Sequence, residues 1–555
     1  MRYLQYSYGI KITALPANKV ASLQCTNCEV NPAHRIRRVK CDEERPICRR
    51  CKTTDRVCDG YAPIPFKKFH KKSSRTASPN NAEASPREAV GRSKPPRLPP
   101  EASIPDNESM AFNEWRSFEY FRRRTVPQLS GFFDASFWDY HILQTVRHEP
   151  AIRHSIIALG SLHERFEAGD PWISRSNINK VEGGFALEQY VKAIRCLVEL
   201  MSVKGKQAVD VLITACVLFT CFEALRGHHG SALSHVKNGI NMLREGFQPN
   251  LSASTLKCNR PIVPFATLQT LFARLDCQCI RLGADNGPID YISPSLGAES
   301  GFSGTIPYQF SSLEEARNSL EYLERHWQYF SRHMEWEYPQ NLTFDVERQR
   351  QLDNFISWYN TLERFLRENC NRLSAVNLQA TRVLRARYLV TADKLSVSEP
   401  WNEMAWDEHI NLYTQITELV ADIVANPNRL NEKIVPSFSL DNGVAGPLFH
   451  VVRRCRDPTI RRKAIELWRV TPRLEGVWDG VLAFKVGERM MQLEEEGLHD
   501  LNTSKDIPRE ARIVSLWIKM HAHERRIDLA FTKRRDLSIV MKERPHELIS
   551  ETLTW

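Results

Sequence analysis

The chain of 555 residues has no long apolar run: the longest uncharged apolar stretch, Val211 to Phe222, is closed off by Asp210 and Glu223. Its 12 residues fall well short of the roughly 20 that a bilayer crossing needs, so no membrane helix is expected. The opening residues, MRYLQYSYGIKITALPA, scatter Gln, Tyr, Ser and Lys where a secretory signal needs unbroken apolar residues, so export is not expected and the chain reads as intracellular. The signatures of common enzyme classes are missing too. There is no glycine-rich phosphate loop ending in Gly-Lys-Ser or Gly-Lys-Thr, and no Gly-x-Ser-x-Gly elbow. His521-Ala522-His523-Glu524 lacks the i, i+4 histidine pair that would put two zinc ligands on one helix face. His228-His229, between Gly227 and Gly230, reads as a helix junction rather than a metal site.

What is present is enough apolar material for a sizeable core, with 42% hydrophobic residues, 24 Gly and 30 Pro, which excludes a collagen-like or wholly disordered chain. The net charge of +10 is unevenly spread. Between Arg35 and Arg75 there are 14 Lys and Arg against 5 Asp and Glu, so nine of the ten net charges fall in 41 residues and the other 514 are close to neutral. A local basic excess of this kind suits a polyanion, because each phosphate neutralised by Lys or Arg releases condensed counterions.

The cysteines are just as uneven. Six of 14 lie within 34 residues, at 25, 28, 41, 48, 51 and 58. Cys25-x2-Cys28-x12-Cys41 and Cys48-x2-Cys51-x6-Cys58 look like two copies of one unit, each offering three thiolates. In a reducing compartment, paired Cys-x2-Cys spacings indicate metal ligands rather than disulfides. Zinc favours four thiolates at tetrahedral angles, and six thiolates make two such sites only if two of them bridge. Two structural zinc ions would then supply the folding free energy of a segment with almost no apolar core. The scattered Cys216, Cys221, Cys277 and Cys279 sit among apolar residues and read as buried structural thiols.

On the residues RIRRVKCDEERPICRRCKTTDRVCDGY, 35–61, the chain resembles the zinc binuclear cluster family of fungal transcription factors. The resemblance implies that Cys25 and Cys48 bridge the two metals, that Cys28 and Cys41 complete one site, and that Cys51 and Cys58 complete the other. It also implies a short helix between the second and third cysteines whose end enters the DNA major groove. Arg37 and Arg38 suit bidentate hydrogen bonds to guanine in CGG-like triplets, and Arg35 and Lys40 suit phosphate contacts. Pro46 matches the loop proline of the family, and Asp59-Gly60-Tyr61 closes the module. Double-stranded DNA is the implied partner and the nucleus the implied location.

One feature departs from the family pattern. The gap between the second and third cysteines is twelve residues rather than six, and omitting Glu29 to His34 would restore it. Three readings are open. The six residues form a looped-out insertion with Cys28 still a ligand; or His34, six residues before Cys41, replaces Cys28; or a mis-set exon junction has added them. The last is favoured, with the true protein lacking the six residues, because an insertion of matching length beside an intact motif is more easily produced by a gene-model error than by design. Pro32 within the insert would break a helix starting at Cys28.

Four segments are expected: an irregular stretch over 1–24, the zinc cluster over 25–61, a linker over 62–110 and a helical region over 111–545. The linker holds nine of the 30 prolines and the run KKFHKK, which suits either a nuclear localisation signal or a further phosphate contact. No sustained heptad follows the cluster, so homodimerisation is left open. In the large region, Ile152, Ile156, Leu159, Leu162 and Phe166, and again Leu233, Val236, Ile240 and Leu243, recur at three- and four-residue steps that predict core-facing helices.

The segments LSGFFDASFW (129–138), EPAIRHSIIALGSLHE (149–164), LFTCFEALRGHHGSALSHVKNGINML (218–243) and GPLFHVVRRCRDPTIRRKAIELW (446–468) resemble the helical regulatory domain common in fungal zinc cluster proteins. The expected fold is therefore a small metal-stabilised cluster joined by a disordered linker to a large all-α regulatory domain. The expected function is sequence-specific DNA-binding transcription regulation, not catalysis. The alternative is a regulator with a disrupted cluster, acting through co-regulator proteins or a small-molecule effector on its helical domain.

Overall fold

The computed structural model describes residues 10–12, 110–133, 136–169, 184–204, 209–246, 263–281, 306–333, 342–397, 402–425, 435–521, 526–534 and 546–554. The clustered cysteines, the basic run and the linker lie outside the described residues.

The helical body begins with α1 (Phe112–Tyr120), which passes through a π-helical turn, Phe121–Thr125, into α2 (Val126–Ser130). A second π-helical turn, Ser136–Ile142, leads to α3 (Pro150–Ala168), whose Pro150 stands in the first turn, where a missing N–H leaves nothing unpaired. Then come α4 (Gly184–Lys204), α5 (Val209–Leu225), α6 (His229–Gly246) and α7 (Phe265–Arg281). These helices share one core. The two predicted stripes lie inside it: Ile152, Ile156 and Leu159 on α3 are fully buried, as is Val236 on α6. The uncharged run Val211 to Phe222 forms most of α5, which is apolar all round and is enclosed by its neighbours, as such a helix must be. Among the described residues no helix is long and apolar enough to cross a membrane.

A second layer consists of α8 (Leu313–His333), α9 (Leu342–Asn369) and α10 (Ala375–Ser396), packed around Trp358. The Trp358 indole N–H donates to the Ala316 carbonyl at 2.8 Å, so the ring is buried without leaving its polar atom unpaired. A third layer joins α10 to α11 (Ile410–Val424), α12 (Ala445–Arg454), α13 (Pro458–Arg469) and α14 (Gly480–Glu495). Asp457 and Asp479 cap α13 and α14, each accepting two backbone N–H groups of the first turn at 3.0–3.1 Å.

Among the described residues the α-helices end at Glu495, and the expectation of helix to residue 545 gives way to a sheet. Strands β5 (Ile513–His521), β6 (Arg526–Arg534) and β7 (His546–Thr554) form an antiparallel meander, and β1 (Ile10–Ile12) adds in parallel to β5. On β6 the residues Ile527, Leu529 and Phe531 alternate with the less buried Arg526, Asp528, Ala530 and Thr532, as one-sided burial of a strand demands, and they pack with Leu482, Val486 and Met490 of α14. A small sheet of β2 (Ser437–Ser439), β3 (Arg473–Glu475) and β4 (Trp478–Asp479) sets Phe438, Leu474 and Val477 into the first core.

Candidate functional site

The sequence-predicted ligands Cys25, Cys28, Cys41, Cys48, Cys51 and Cys58, the alternative ligand His34 and the DNA-facing Arg35, Arg37, Arg38 and Lys40 lie outside the described residues. What the structure places is the helical body. Its chemistry-bearing groups are concentrated in four buried polar nodes.

The first is Asp393 on α10. Its Oδ1 lies 2.6 Å from Nδ1 of His409, in the turn before α11, and its Oδ2 lies 2.5 Å from Nε2 of His450 on α12. Burial alone would raise the Asp393 carboxyl, but the bonds to both imidazoles outweigh it and hold the pKa at about 2. His450 is pushed down to about 4 by burial, so it is the neutral donor, whereas the bond to Asp393 raises His409. Among the described residues no serine, threonine or cysteine bonds to either imidazole, so the arrangement clasps three helices and has no nucleophile to activate.

The second node surrounds Glu494 at the end of α14. It takes Arg456 at 2.8 Å, Arg461 at 2.7 Å and the backbone N–H of Ile513 at 2.7 Å, tying α13 and β5 to α14. Arg456 also reaches Glu403 at 2.9 Å, which is bonded in turn to Arg454. Burial disfavours the charge on Glu494, but the two guanidiniums pull its pKa to about 2. In the third node, Arg387 of α10 bonds Glu324 at 2.9 Å and Glu321 at 3.3 Å on α8. Arg274 of α7 lies beside Glu321 and bonds Asp441. In the fourth, the buried Glu475 carboxylate accepts the N–H groups of Gly443 at 2.8 Å and Val444 at 2.9 Å, an anion at the N-terminus of α12; burial raises its pKa despite these bonds.

The remaining sequence candidates fall as follows. Cys216, Cys221, Cys277 and Cys279 are buried, and burial pushes the Cys216 thiol up to about 12 and raises Cys221 and Cys279 also, so at neutral pH those three are unreactive thiols. His228 stands in the turn between α5 and α6, with its Nδ1 3.0 Å from Glu223, and Gly227 makes that turn possible with φ +75°. Ala522, His523 and Glu524 lie outside the described residues. A shallow cavity of about 580 Å³ lies between the 306–308 segment and α9, with the Arg364 guanidinium 3.9 Å above the Tyr308 ring.

Sequence reasoning missed the nodes, although His450, Arg454, Arg456 and Arg461 all fall in the segment 446–468 that carries the regulatory-domain resemblance. A run of arginines between apolar residues was the available signal.

No family model and no solved structure matches the chain. It is similar over nearly its whole length to the aspercryptin biosynthesis cluster-specific transcription regulator atnN of Emericella nidulans, at 25% identity, the alignment covering 92% of this chain and 94% of that protein. It is also similar to transcription regulator lscL of Purpureocillium lilacinum, at 29% identity over 48% of this chain and 59% of that protein. These relatives are fungal transcription regulators, not enzymes. An alignment of the first extent takes in most of the helical body.

Proposed function

We propose that this chain is a fungal, nuclear transcription factor that reads CGG-like triplets through a zinc binuclear cluster at 25–61, under the control of its helical body. The observation that carries the reading is the overlap, within residues 25–75, of six cysteines in paired spacing with eight of the ten net positive charges. Its weight is increased by a relative of matching length named as a transcription regulator. Six thiolates suit two tetrahedral zinc ions with Cys25 and Cys48 bridging, Cys28 and Cys41 on one metal, and Cys51 and Cys58 on the other. The zinc would supply folding free energy, and the protein would do the reading, with Arg37 and Arg38 on guanines and Arg35 and Lys40 on phosphates. The name of the Emericella nidulans relative makes the genes of a biosynthetic cluster the natural target set.

The test is Cys48→Ala in the chain lacking Glu29 to His34, with zinc per chain and binding to CGG-containing duplexes as readouts. Loss of both metals and of DNA binding is expected, because one substitution removes a ligand from each zinc. Two zinc ions retained would refute the bridging assignment. The twelve-residue gap between Cys28 and Cys41 favours a second reading, in which the cluster is disrupted and the helical body acts through a co-regulator or small-molecule effector.

A further inference from the structure

Helix α4 has two apolar faces. One, with Ala186, Tyr190, Ala193 and Leu197, is buried, and the Tyr190 ring stacks on Phe222 of α5 at 4.4 Å. The other carries Leu187, Val191, Ile194, Val198 and Met201, which are between 37% and 62% exposed. Their spacing of four, three, four and three residues is the a/d repeat of a coiled-coil seam, and an unbroken exposed seam of this kind needs a partner. Glu188 and Arg195 stand on the flank of that seam at successive e positions, both exposed and neither in an ion pair among the described residues.

We propose that this seam is a homodimer interface, in which α4 packs antiparallel against α4 of a second copy. Charge decides both partner and direction. In an antiparallel pair the e positions of the two helices meet, so Glu188 of each copy faces Arg195 of the other, twice over. In a parallel pair e would meet g, and the g positions are Tyr190 and Leu197, already buried in their own core. Size agrees. Antiparallel layers set Val191 on Ile194, Leu187 on Val198, and Met201 over Gly184, where the chain's own atoms leave open space. Six layers on one helix make a small interface beside the roughly 800 Å² per partner of a standard complex, so micromolar association is expected. The proposal does not depend on how the chain reads DNA.

Sedimentation equilibrium of the full chain at micromolar concentrations tests it, beside Val198→Asp, Glu188→Arg and Arg195→Glu. The wild-type chain should be in monomer–dimer exchange. Val198→Asp should be monomeric with an unchanged melting temperature. Each charge reversal alone should weaken the dimer about tenfold or more, and an equimolar mixture of the two single variants should associate more tightly than either alone, because every facing pair is then opposite in sign. A wild-type chain that stays monomeric, or a Val198→Asp dimer as tight as wild type, would overturn the interface. A marked fall in the melting temperature of Val198→Asp would do so too, showing the seam to be covered by the chain's own residues. A mixture no tighter than its components would overturn the antiparallel arrangement.

Discussion

The carboxylate of Glu494 and the guanidinium of Arg456 meet at 2.8 Å with both side chains wholly shielded from water, although 38 residues separate them in the chain. Arg461, equally buried, takes the other oxygen. Neither cation has water to fall back on, so removing the shared anion strands the charge of Arg461 and leaves Arg456 only its pair with Glu403. Glu494→Gln should therefore destabilise the helical body by about 3–5 kcal/mol in urea unfolding. Glu488→Gln, which breaks the more exposed pair with Arg469, should cost less than about 1 kcal/mol. Equal costs for the two would show that burial of the Glu494 node adds nothing.

His163 should give the body a pH signature. Its Nδ1 lies 2.9 Å from Thr125 Oγ1, and burial pushes its pKa from 6.5 down to about 4. A base whose folded value lies below its unfolded value leaves the unfolded chain holding more protons between the two, so stability falls as pH drops from 6.5 to 4. His163→Asn keeps an acceptor for Thr125 and removes that titration. Its stability should decline less steeply over this window, by up to about 1.4 kcal/mol per pH unit relative to wild type. Parallel profiles from urea midpoints would exclude His163 as a source. Asp393 and Glu494, both held at about 2, act in the same direction at lower pH: their contribution is complete above the ordinary carboxylate range and is lost as pH falls toward 2.

Gly160 sets how closely α1 lies on α3. A Cβ there would run into the Ser117 carbonyl and the Phe121 side chain, so Gly160→Ala should destabilise by about 1–3 kcal/mol through displacement of α1. Gly230, in the first turn of α6, has open space around it, and Gly230→Ala should raise stability by up to about 1 kcal/mol through helix propensity and unfolded-state entropy. Thermal unfolding separates the two, and effects of the same sign would contradict the packing described for α1 on α3.

Arg38→Ala should weaken binding to a CGG-containing duplex by about 1–3 kcal/mol and flatten sequence preference. The check is a comparison of cognate and scrambled duplexes at one salt concentration. Equal loss on both would make Arg38 a phosphate contact.

Much of the helical body was legible because helices bury a stripe. Ile152, Ile156 and Leu159 announce α3 by their spacing, and Val236 and Ile240 announce α6 in the same way. The terminal meander was not read, although Ile527, Leu529 and Phe531 alternate, because the charges at Arg526, Asp528 and Lys533 break β6 into a run too short to stand out. The buried nodes are long-range. Arg274 and Asp441 are 167 residues apart, and a charged residue in a sequence gives no sign that a distant partner will let it be buried. The α4 seam was hidden for a different reason: with a core-facing and a solvent-facing apolar stripe, the helix looks hydrophobic nearly all round. The residues proposed for zinc and DNA were legible only as spacing and charge, which is where metal ligation and phosphate binding leave their mark.

The most direct test compares the full chain with a variant lacking Glu29 to His34, by zinc content per chain and by affinity for CGG-containing against scrambled duplexes. Two zinc ions and sequence-selective binding are predicted for the shortened chain, with both diminished when the six residues are present. Fewer than two zinc ions in both forms, with no preference for CGG in either, would contradict a zinc-held DNA reader at the N-terminus.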